Sequence, residues 1–373
     1  MSKGIPFVGI GDFDFDGKLQ IEKARVVSRS FLSEHAGRYS LGDDLLAIGR
    51  VASIGKVVRL PKATDPYLIS PTLAVLRPHS VDISYLFFAL QAPNFQTQLE
   101  ALSRGSTRRS VGIIDLRKAS IPLPSPAEQQ RIVDILGRAF GGTATAKANA
   151  EKNLQNSRAL FESHLQSVFT QAGKGWVERR LWEVFEIGSS KRIRETEWTS
   201  AGVPFYGGKE IVRLAKFGSA VSAAYISEEK YRDYASKYDM PRKGDILITA
   251  RGTIGVGYVV KEGDKFYYKD GNIISFREKT PTNALFVLYA FRSKTLVDQF
   301  ADLTGATVKH LPIERAKDLV LKMPTFATQN SVVEHLENIE KEAQRLESIY
   351  QRKLAVLEAL KKSLLHQAFA GKL

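Results

Sequence analysis

The sequence contains no cysteine, which excludes disulfide frameworks and thiolate chemistry and fits a reducing compartment. Histidine is scarce. The six residues, at 35, 79, 164, 310, 335 and 366, show none of the short spacings used for metal ligation. No Ser/His/Asp ordering repeats along the chain. No apolar run has the length of a signal peptide or a membrane span, so a soluble, cytoplasmic protein with no membrane contact is expected. Acidic residues are in deficit, with 40 Asp and Glu against 54 Lys and Arg and a net charge of +14. That excess points to a polyanionic partner, most commonly nucleic acid.

Cofactor loops are also missing. Gly202 to Lys209 fails as a phosphate loop, because Gly208-Lys209 falls one position late and Glu210 replaces the required Ser or Thr. Phe7-Val8-Gly9-Ile10-Gly11 imitates the glycine loop of S-adenosylmethionine methyltransferases. Such a loop must run from a parallel strand into a helix, and the following Asp12-Phe13-Asp14-Phe15-Asp16-Gly17 is a poor helix start. Phe205-Tyr206-Gly207-Gly208 lacks the pattern altogether. No catalytic constellation emerges, and no cofactor is expected on this chain.

What the sequence does contain is a duplication. Pro124, Ala127, Gln129, Val133 and Leu136 match Pro324, Ala327, Gln329, Val333 and Leu336 at an offset of 200, and Gly105-Ser106-Thr107 lies over Gly305-Ala306-Thr307. Gly42-Asp43-Asp44-Leu45-Leu46 resembles Gly244-Asp245-Ile246-Leu247-Ile248 at 202, and Ile5-Pro6-Phe7 resembles Val203-Pro204-Phe205 at 198. Arg50 pairs with Arg251 if a short indel is allowed, and Ile54-Gly55 pairs with Ile254-Gly255. Matches in the same order at nearly one offset mark an internal repeat.

Each repeat ends in a helix. From Pro324 to Gly371 there is neither a further proline nor a glycine, and Leu336, Ile339, Ala343, Leu346, Tyr350, Leu357, Leu360 and Leu364 step by three and four, with Lys353 interrupting the seam. Ala127 to about Gln171 is the first long helix. Its small residues around Gly141-Gly142-Thr143-Ala144 would let another helix come close, but the glycines weaken it and predict a break or kink. The short apolar runs Ile5–Ile10, Leu45–Ile48, Lys56–Leu60 and Thr72–Leu76 read as strands, followed by one or two helices over Ser84–Leu102. Leu181–Ile187, Val203–Tyr206, Ile246–Thr249, Val256–Val260 and Asn272–Phe276 repeat the strands, and Ala284–Phe300 repeats the helical part.

The expected fold is α+β, with two pseudo-symmetric α/β domains separated by a pair of long antiparallel, coiled-coil-like helices. The boundaries are 1–125 for the first domain, 126–172 for its helix, 173–324 for the second domain and 325–373 for the C-terminal helix. One asymmetry stands out. The second repeat opens with Trp176-Val177-Glu178-Arg179-Arg180-Leu181, whereas four residues precede Ile5. The first domain's opening strand is therefore expected to be missing or supplied from elsewhere.

Binding signals occur in both repeats. Arg104, Ser106, Thr107, Arg108 and Arg109 surround one glycine turn, and Thr304, Thr307, Lys309 and His310 surround its counterpart. Such turns can hold phosphates through hydroxyls and backbone N–H groups while Arg or Lys reads a guanine edge. Arg50, Ser53 and Lys56 lie on one hairpin-like turn, and Arg251 and Thr253 on the other. Lys191, Arg192 and Lys209 add weaker basic candidates. All are nominated as DNA contacts.

The string Ile121-Pro122-Leu123-Pro124-Ser125-Pro126-Ala127-Glu128-Gln129-Gln130-Arg131-Ile132-Val133 and the C-terminal Leu360-Lys361-Lys362-Ser363-Leu364-Leu365-His366-Gln367-Ala368-Phe369-Ala370-Gly371 resemble conserved regions of the specificity subunit of type I restriction–modification systems. Arg251-Gly252-Thr253-Ile254-Gly255, Gly105-Ser106-Thr107 and Val203-Pro204-Phe205-Tyr206 are similar to motifs of that family's target recognition domains. The resemblance implies a non-catalytic reader of a split, asymmetric site in double-stranded DNA. It implies that the helices act as a ruler for the unread spacer and dock two methyltransferase subunits carrying S-adenosylmethionine, joined by ATP-dependent restriction subunits with translocase and nuclease activity. The sequence departs from the family in its missing first strand, its glycine-broken first helix and Thr328-Gln329-Asn330 in place of the Glu-Gln pair. The alternatives are a DNA methyltransferase with its own fused recognition domain and a coiled-coil scaffold whose charge is incidental.

Overall fold

The computed structural model describes residues 4–14, 17–28, 30–31, 45–61, 67–106, 109–238, 240–301 and 310–373. The chain divides into two compact units, one of residues 1–153 with 350–373 and one of residues 154–349. No helix among the described residues is long and apolar enough to cross a membrane.

In the first unit, β1 (Ile5–Val8) pairs antiparallel with β2 (Arg25–Val27), and β3 (Leu45–Gly49) pairs antiparallel with β4 (Val57–Leu60). A short β5 (Leu68–Ile69) joins β1 in parallel, and β6 (Leu73–Leu76) joins β3 antiparallel. The result is two three-stranded sheets, ordered β2-β1-β5 and β4-β3-β6. All five residues of β3 are buried, as expected of a central strand covered on both faces. On one side Leu46 and Ile48 pack with Leu90, Phe95 and Leu99 of α1 (Ile83–Gln91) and α2 (Pro93–Leu102). On the other, Leu45 and Ala47 pack with Val8, Phe13 and Tyr67. A one-turn α3 (Ile113–Leu116) leads towards α4 (Pro126–Gln171).

The second unit repeats this plan with additions. β7 (Val177–Arg180), a helical turn α5 (Leu181–Val184) and β8 (Phe185–Gly188) come first, followed by β9 (Val203–Tyr206), α6 (Gly208–Phe217), β10 (Tyr225–Ile226) and α7 (Glu228–Lys237). Then come β11 (Ile246–Thr249), β12 (Gly257–Val259), β13 (Tyr267–Tyr268), β14 (Ile273–Glu278), α8 (Ala284–Arg292), α9 (Lys294–Ala301), α10 (Ile313–Asp318), β15 (Val320–Met323) and α11 (Phe326–Phe369). The sheets are β10-β9-β13, β12-β11-β14-β8 and β15-β7. Leu181–Ile187, expected to be one strand, is divided by the helical turn. Its buried Leu181 and Val184 are three residues apart and enter the core together, which a strand, alternating faces at every residue, could not arrange. The second unit's four-stranded sheet gains β8 beside β14. Among the described residues, β6 has no such outer neighbour.

Strand registers refine the repeat. Leu46 faces Leu76 and Gly49 faces Leu73, while Ile246 faces Phe276 and Thr249 faces Ile273. The offset here is a uniform 200, not 202, so Arg50 corresponds to Ala250 and Arg251 to Val51. Residues 42–44 of the earlier match lie outside the described residues.

α4 has 46 residues and α11 has 44, roughly 65–70 Å each at about 1.5 Å per residue. Within the first unit, Ile132 and Leu136 pack with Leu365, Ala368 and Phe369, and Lys147 pairs with Glu358 at 2.9 Å. Within the second, Phe161 and Leu165 share a core with Val333, Leu336 and Ala343, and Arg158 pairs with Glu347 at 3.1 Å. In each unit, rising numbers on one helix meet falling numbers on the other, an antiparallel pairing.

Two expectations for these helices are corrected. α4 runs unbroken through Gly141-Gly142. Both glycines are exposed, and a Cβ on either would meet nothing within 4 Å, so they offer no seat for a neighbouring helix. A cost of about 1 kcal/mol per glycine is small beside the packing of Leu136 and Phe140 against α1 and α11. The seam of α11 also drifts. Leu360 is 43% exposed, and the buried row passes to Leu365, Ala368 and Phe369. A straight helix at 3.6 residues per turn rotates away from a strict heptad, and the first unit's core, with Tyr85 against Phe369 at 5.3 Å, selects the new row.

Candidate nucleic-acid interface

The repeated Pro-x-x-Ala-x-Gln strings turn out to be braces. Gln129 is 2% exposed and Gln329 is 3% exposed, so each carboxamide must satisfy its polar atoms internally. Gln129 Nε2 donates to the Pro124 carbonyl at 2.9 Å, and its Oε1 accepts from the Asp82 N–H at 3.0 Å. Gln329 donates to the Pro324 carbonyl at 3.0 Å and accepts from the Asn283 N–H at 2.9 Å. Asp82 and Asn283 are the N-caps of α1 and α8. Each glutamine therefore ties the start of a long helix to the start of a domain helix.

Among the described residues, a cluster of turns recurs in both units. The β3–β4 turn places Arg50 beside the basic loop, where Val111 N–H donates to the Arg50 carbonyl at 2.8 Å. Val51 and Ser110 form an isolated β-bridge, as do Arg104 and Ser110. In the second unit Leu311 N–H donates to the Ala250 carbonyl at 2.8 Å, and Arg251 bridges His310. The turn itself is the same in both. Gly49 N–H donates to Lys56 O and Thr249 N–H to Val256 O, each at 2.9 Å, while Gly55 and Gly255 close back on residues 49 and 249. Ala52 and Gly252 occupy the same left-handed position, with φ of 63° and 76°. In the first unit the hairpin turn is thus brought against its basic loop, and in the second the described end of the counterpart, His310 and Leu311, meets Arg251 and Ala250.

The nominated side chains then separate by environment. Arg50 donates from Nη1 to the Val111 carbonyl at 3.1 Å and from Nη2 to the Pro71 carbonyl at 2.6 Å. Lys56 Nζ donates to the Phe13 and Asp14 carbonyls, both at 3.2 Å. These two cations shape the turn. Arg109 is exposed but tied down locally, with Nε donating to Ser103 Oγ at 3.0 Å and Nη2 to the Glu100 carbonyl at 3.0 Å. Arg104, with a side chain 78% exposed, contacts the Asp115 carboxylate at 3.3 Å. The Lys118 ammonium, hydrogen-bonded to Asp115, and then Arg104 hold that carboxyl below the usual carboxylate range. Ser53 and Ser106 are exposed. Thr107 and Arg108 lie outside the described residues.

In the second unit Arg251 and Thr253 are exposed, and Arg251 makes no side-chain hydrogen bond or ion pair among the described residues. Lys209 is exposed in the first turn of α6. There Gly208 fits against the turn: a Cβ on it would lie 3.9 Å from the Arg251 carbonyl. Glu210 accepts from the Gly207 N–H at 2.9 Å and caps α6, the place of the failed phosphate loop. Arg192 pairs with Asp270 at 3.1 Å, two residues from Asn272, whose carbonyl accepts from Ala250 N–H at 2.8 Å. The Lys191 ammonium lies over the Tyr238 ring at 5.5 Å. Thr304, Thr307 and Lys309 lie outside the described residues, and His310 is half-buried. Sequence reading missed α6 and α7, although the Gly207–Glu210 cap signals the first. It also missed the carboxylates Asp115 and Asp270, which position Arg104 and Arg192.

The methyltransferase-like loop has no helix to serve. After β1, Ile10–Asp12 forms only a one-turn 3-10 helix, too short to present a helix N-terminus to a cofactor.

The profile of the family described as type I restriction modification DNA specificity domain matches residues 2–155 and 173–353. A Haemophilus influenzae chain assigned as a type I restriction enzyme specificity subunit is 27% identical over 240 residues, covering 63% of this chain and 60% of that one. This chain thus spans less than two thirds of that relative's length. The EcoBI specificity subunit of Escherichia coli is 21% identical over 343 residues, covering 83% of this chain and 70% of its own. Among solved structures, a chain from work on complex assembly and conformational transition of the type I R-M system superposes with a TM-score of 0.76 at 19% identity, covering 99% of this chain and 92% of that one. The HsdS subunit from Thermoanaerobacter tengcongensis superposes with a TM-score of 0.60 at 18% identity, covering 99% and 91%. These two likenesses concern the fold. The profile accounts for both repeats and most of the chain, which belongs to the type I restriction modification DNA specificity domain family.

Proposed function

We propose that this chain is the DNA-reading specificity subunit of a type I restriction–modification enzyme, with each unit reading one half of a split, asymmetric duplex site. The observation that carries this reading is the recurrence, at one offset, of a hairpin turn hydrogen-bonded to a second loop: Val111 to Arg50 and Leu311 to Ala250, both at 2.8 Å. Exposed Arg104, Ser53 and Ser106 in one cluster, and Arg251, Thr253 and Lys209 in the other, supply the donors that phosphates and guanine edges accept. Residues 1–125 and 173–324 are the readers. The helices over 126–172 and 325–373 set the unread spacer and dock two methyltransferase subunits, with ATP-dependent restriction subunits joining them. S-adenosylmethionine and ATP belong to those partners.

Quantitative binding to duplex DNA, alone and with methyltransferase subunits, tests this. Affinity should fall steeply with salt, by about 0.9 log units per log unit of salt for each phosphate neutralised, and sequence selectivity should appear in the assembly. Salt-independent binding, or tight binding of S-adenosylmethionine by the isolated chain, would favour the other readings.

A further inference from the structure

His164 on α4 and His335 on α11 are 171 positions apart, yet their Nε2 atoms lie 2.8 Å from one another. The ring centroids are 4.8 Å apart with planes at 62°. Both helices are fixed at this level by the core of the 154–349 unit: the next residues, Leu165 and Leu336, are each 0% exposed. His164 is half-buried and His335 exposed, so the nitrogens are reachable from solvent. Sequence spacing hid this pair, because antiparallel helices bring together residues that no short motif connects.

A 2.8 Å contact between two imidazole nitrogens requires one ring to donate and the other to accept. The same geometry is nearly that of two ligands on one cation. With metal–nitrogen bonds of about 2.0–2.1 Å, neighbouring ligand atoms are about 2.9–3.4 Å apart. A small side-chain rotation therefore converts the hydrogen bond into a chelate. We propose that His164 and His335 form a two-imidazole site for a divalent transition-metal cation, clasping α4 to α11 within this unit.

Neutral imidazole suits copper, nickel and zinc, and hard cations such as magnesium prefer oxygen. Binding requires both Nε2 lone pairs. The ring that donated from Nε2 loses that proton to water and gains one at Nδ1, so both rings stay neutral and no net proton is released. Among the described residues no group of three or more His, Cys, Asp or Glu could hold a metal, so water completes the coordination. Such a site is a clasp and not a catalytic centre, and it stands independently of the DNA-reading assignment.

Calorimetric titration of the full chain with Ni²⁺, without an oligohistidine tag, tests the proposal. One saturable site per chain is expected, with Ni²⁺ raising the melting temperature. His164→Ala and His335→Ala should each weaken binding at least about tenfold, since even an outer-shell partner is worth about 10–100-fold, and each should abolish the thermal shift. His366→Ala should retain both. Circular dichroism establishes that the variants are folded, and His164→Gln replaces any that is not. Absence of a saturable site, retention of binding in both single variants, or equal binding of Mg²⁺ would overturn the proposal.

Discussion

Arg50 and Val111 exchange two hydrogen bonds: the Val111 N–H donates to the Arg50 carbonyl at 2.8 Å, and Arg50 Nη1 donates to the Val111 carbonyl at 3.1 Å. The second unit keeps only the backbone half of this relationship, because Ala250 stands where Arg50 does. Its exposed arginine, Arg251, occupies the position of Val51. Two arginines that look alike in the sequence therefore have different work.

Arg50→Ala should destabilise the first unit by about 1.5–3 kcal/mol, the usual worth of a hydrogen bond from a charged group. Arg251→Ala should change stability by less than about 0.5 kcal/mol, as exposed substitutions do. Urea unfolding of the two variants checks the contrast. Equal losses would mean that the Arg50 clamp carries no energy.

Ala52→Gly should stabilise the protein. The left-handed conformation costs an L-residue about 1–2 kcal/mol, against about 0.5–1 kcal/mol for the greater freedom glycine loses on folding. The net gain is about 0.5–1 kcal/mol, and Gly252 already occupies the equivalent position at φ 76°. Thermal melting of the variant gives the sign directly.

Gln129→Ala and Gln329→Ala should each cost about 1–3 kcal/mol, because each removes two hydrogen bonds made by a buried carboxamide to partly buried backbone groups. Gln130→Ala, on the exposed face, is the control and should be near neutral. Melting temperatures compared across the three variants test the brace.

Much of this arrangement was legible in the sequence. The glutamine strings, the apolar strands and the two long helices follow from periodicity and from the repeat, and the structure reproduces them. Other features depended on tertiary context. α6 has charged residues through its first turn but buries Ile211 and Leu214 against Leu247 and Tyr258, contacts that local propensity does not report. The pairing of Arg50 with Arg251 failed because matching side chains outweighed backbone register, and only the ladders fix register. Whether a basic residue faces outward or grips a carbonyl was equally hidden: Lys56 and Arg109 are indistinguishable from Arg104 until their partners are placed.

The helices carry a geometric consequence for the proposed function. Four residues inserted after Gln155 in α4, with four after Tyr350 in α11, lengthen the pair by about 6 Å at about 1.5 Å per residue. DNA rises about 3.4 Å per base pair, so the unread spacer should grow by about two base pairs while both half-sites keep their bases. Methylation mapping of the variant checks the spacing. Unchanged spacing would contradict the ruler.

The most direct test is selection of bound sequences from a random duplex pool by the chain assembled with its methyltransferase subunits. A split site with two specified halves is expected. The Lys209→Ala/Arg251→Ala variant should relax bases in one half only, at about 1–3 kcal/mol per lost base contact. A single continuous site, or relaxation spread equally over both halves, would contradict the claim that each unit reads its own half-site.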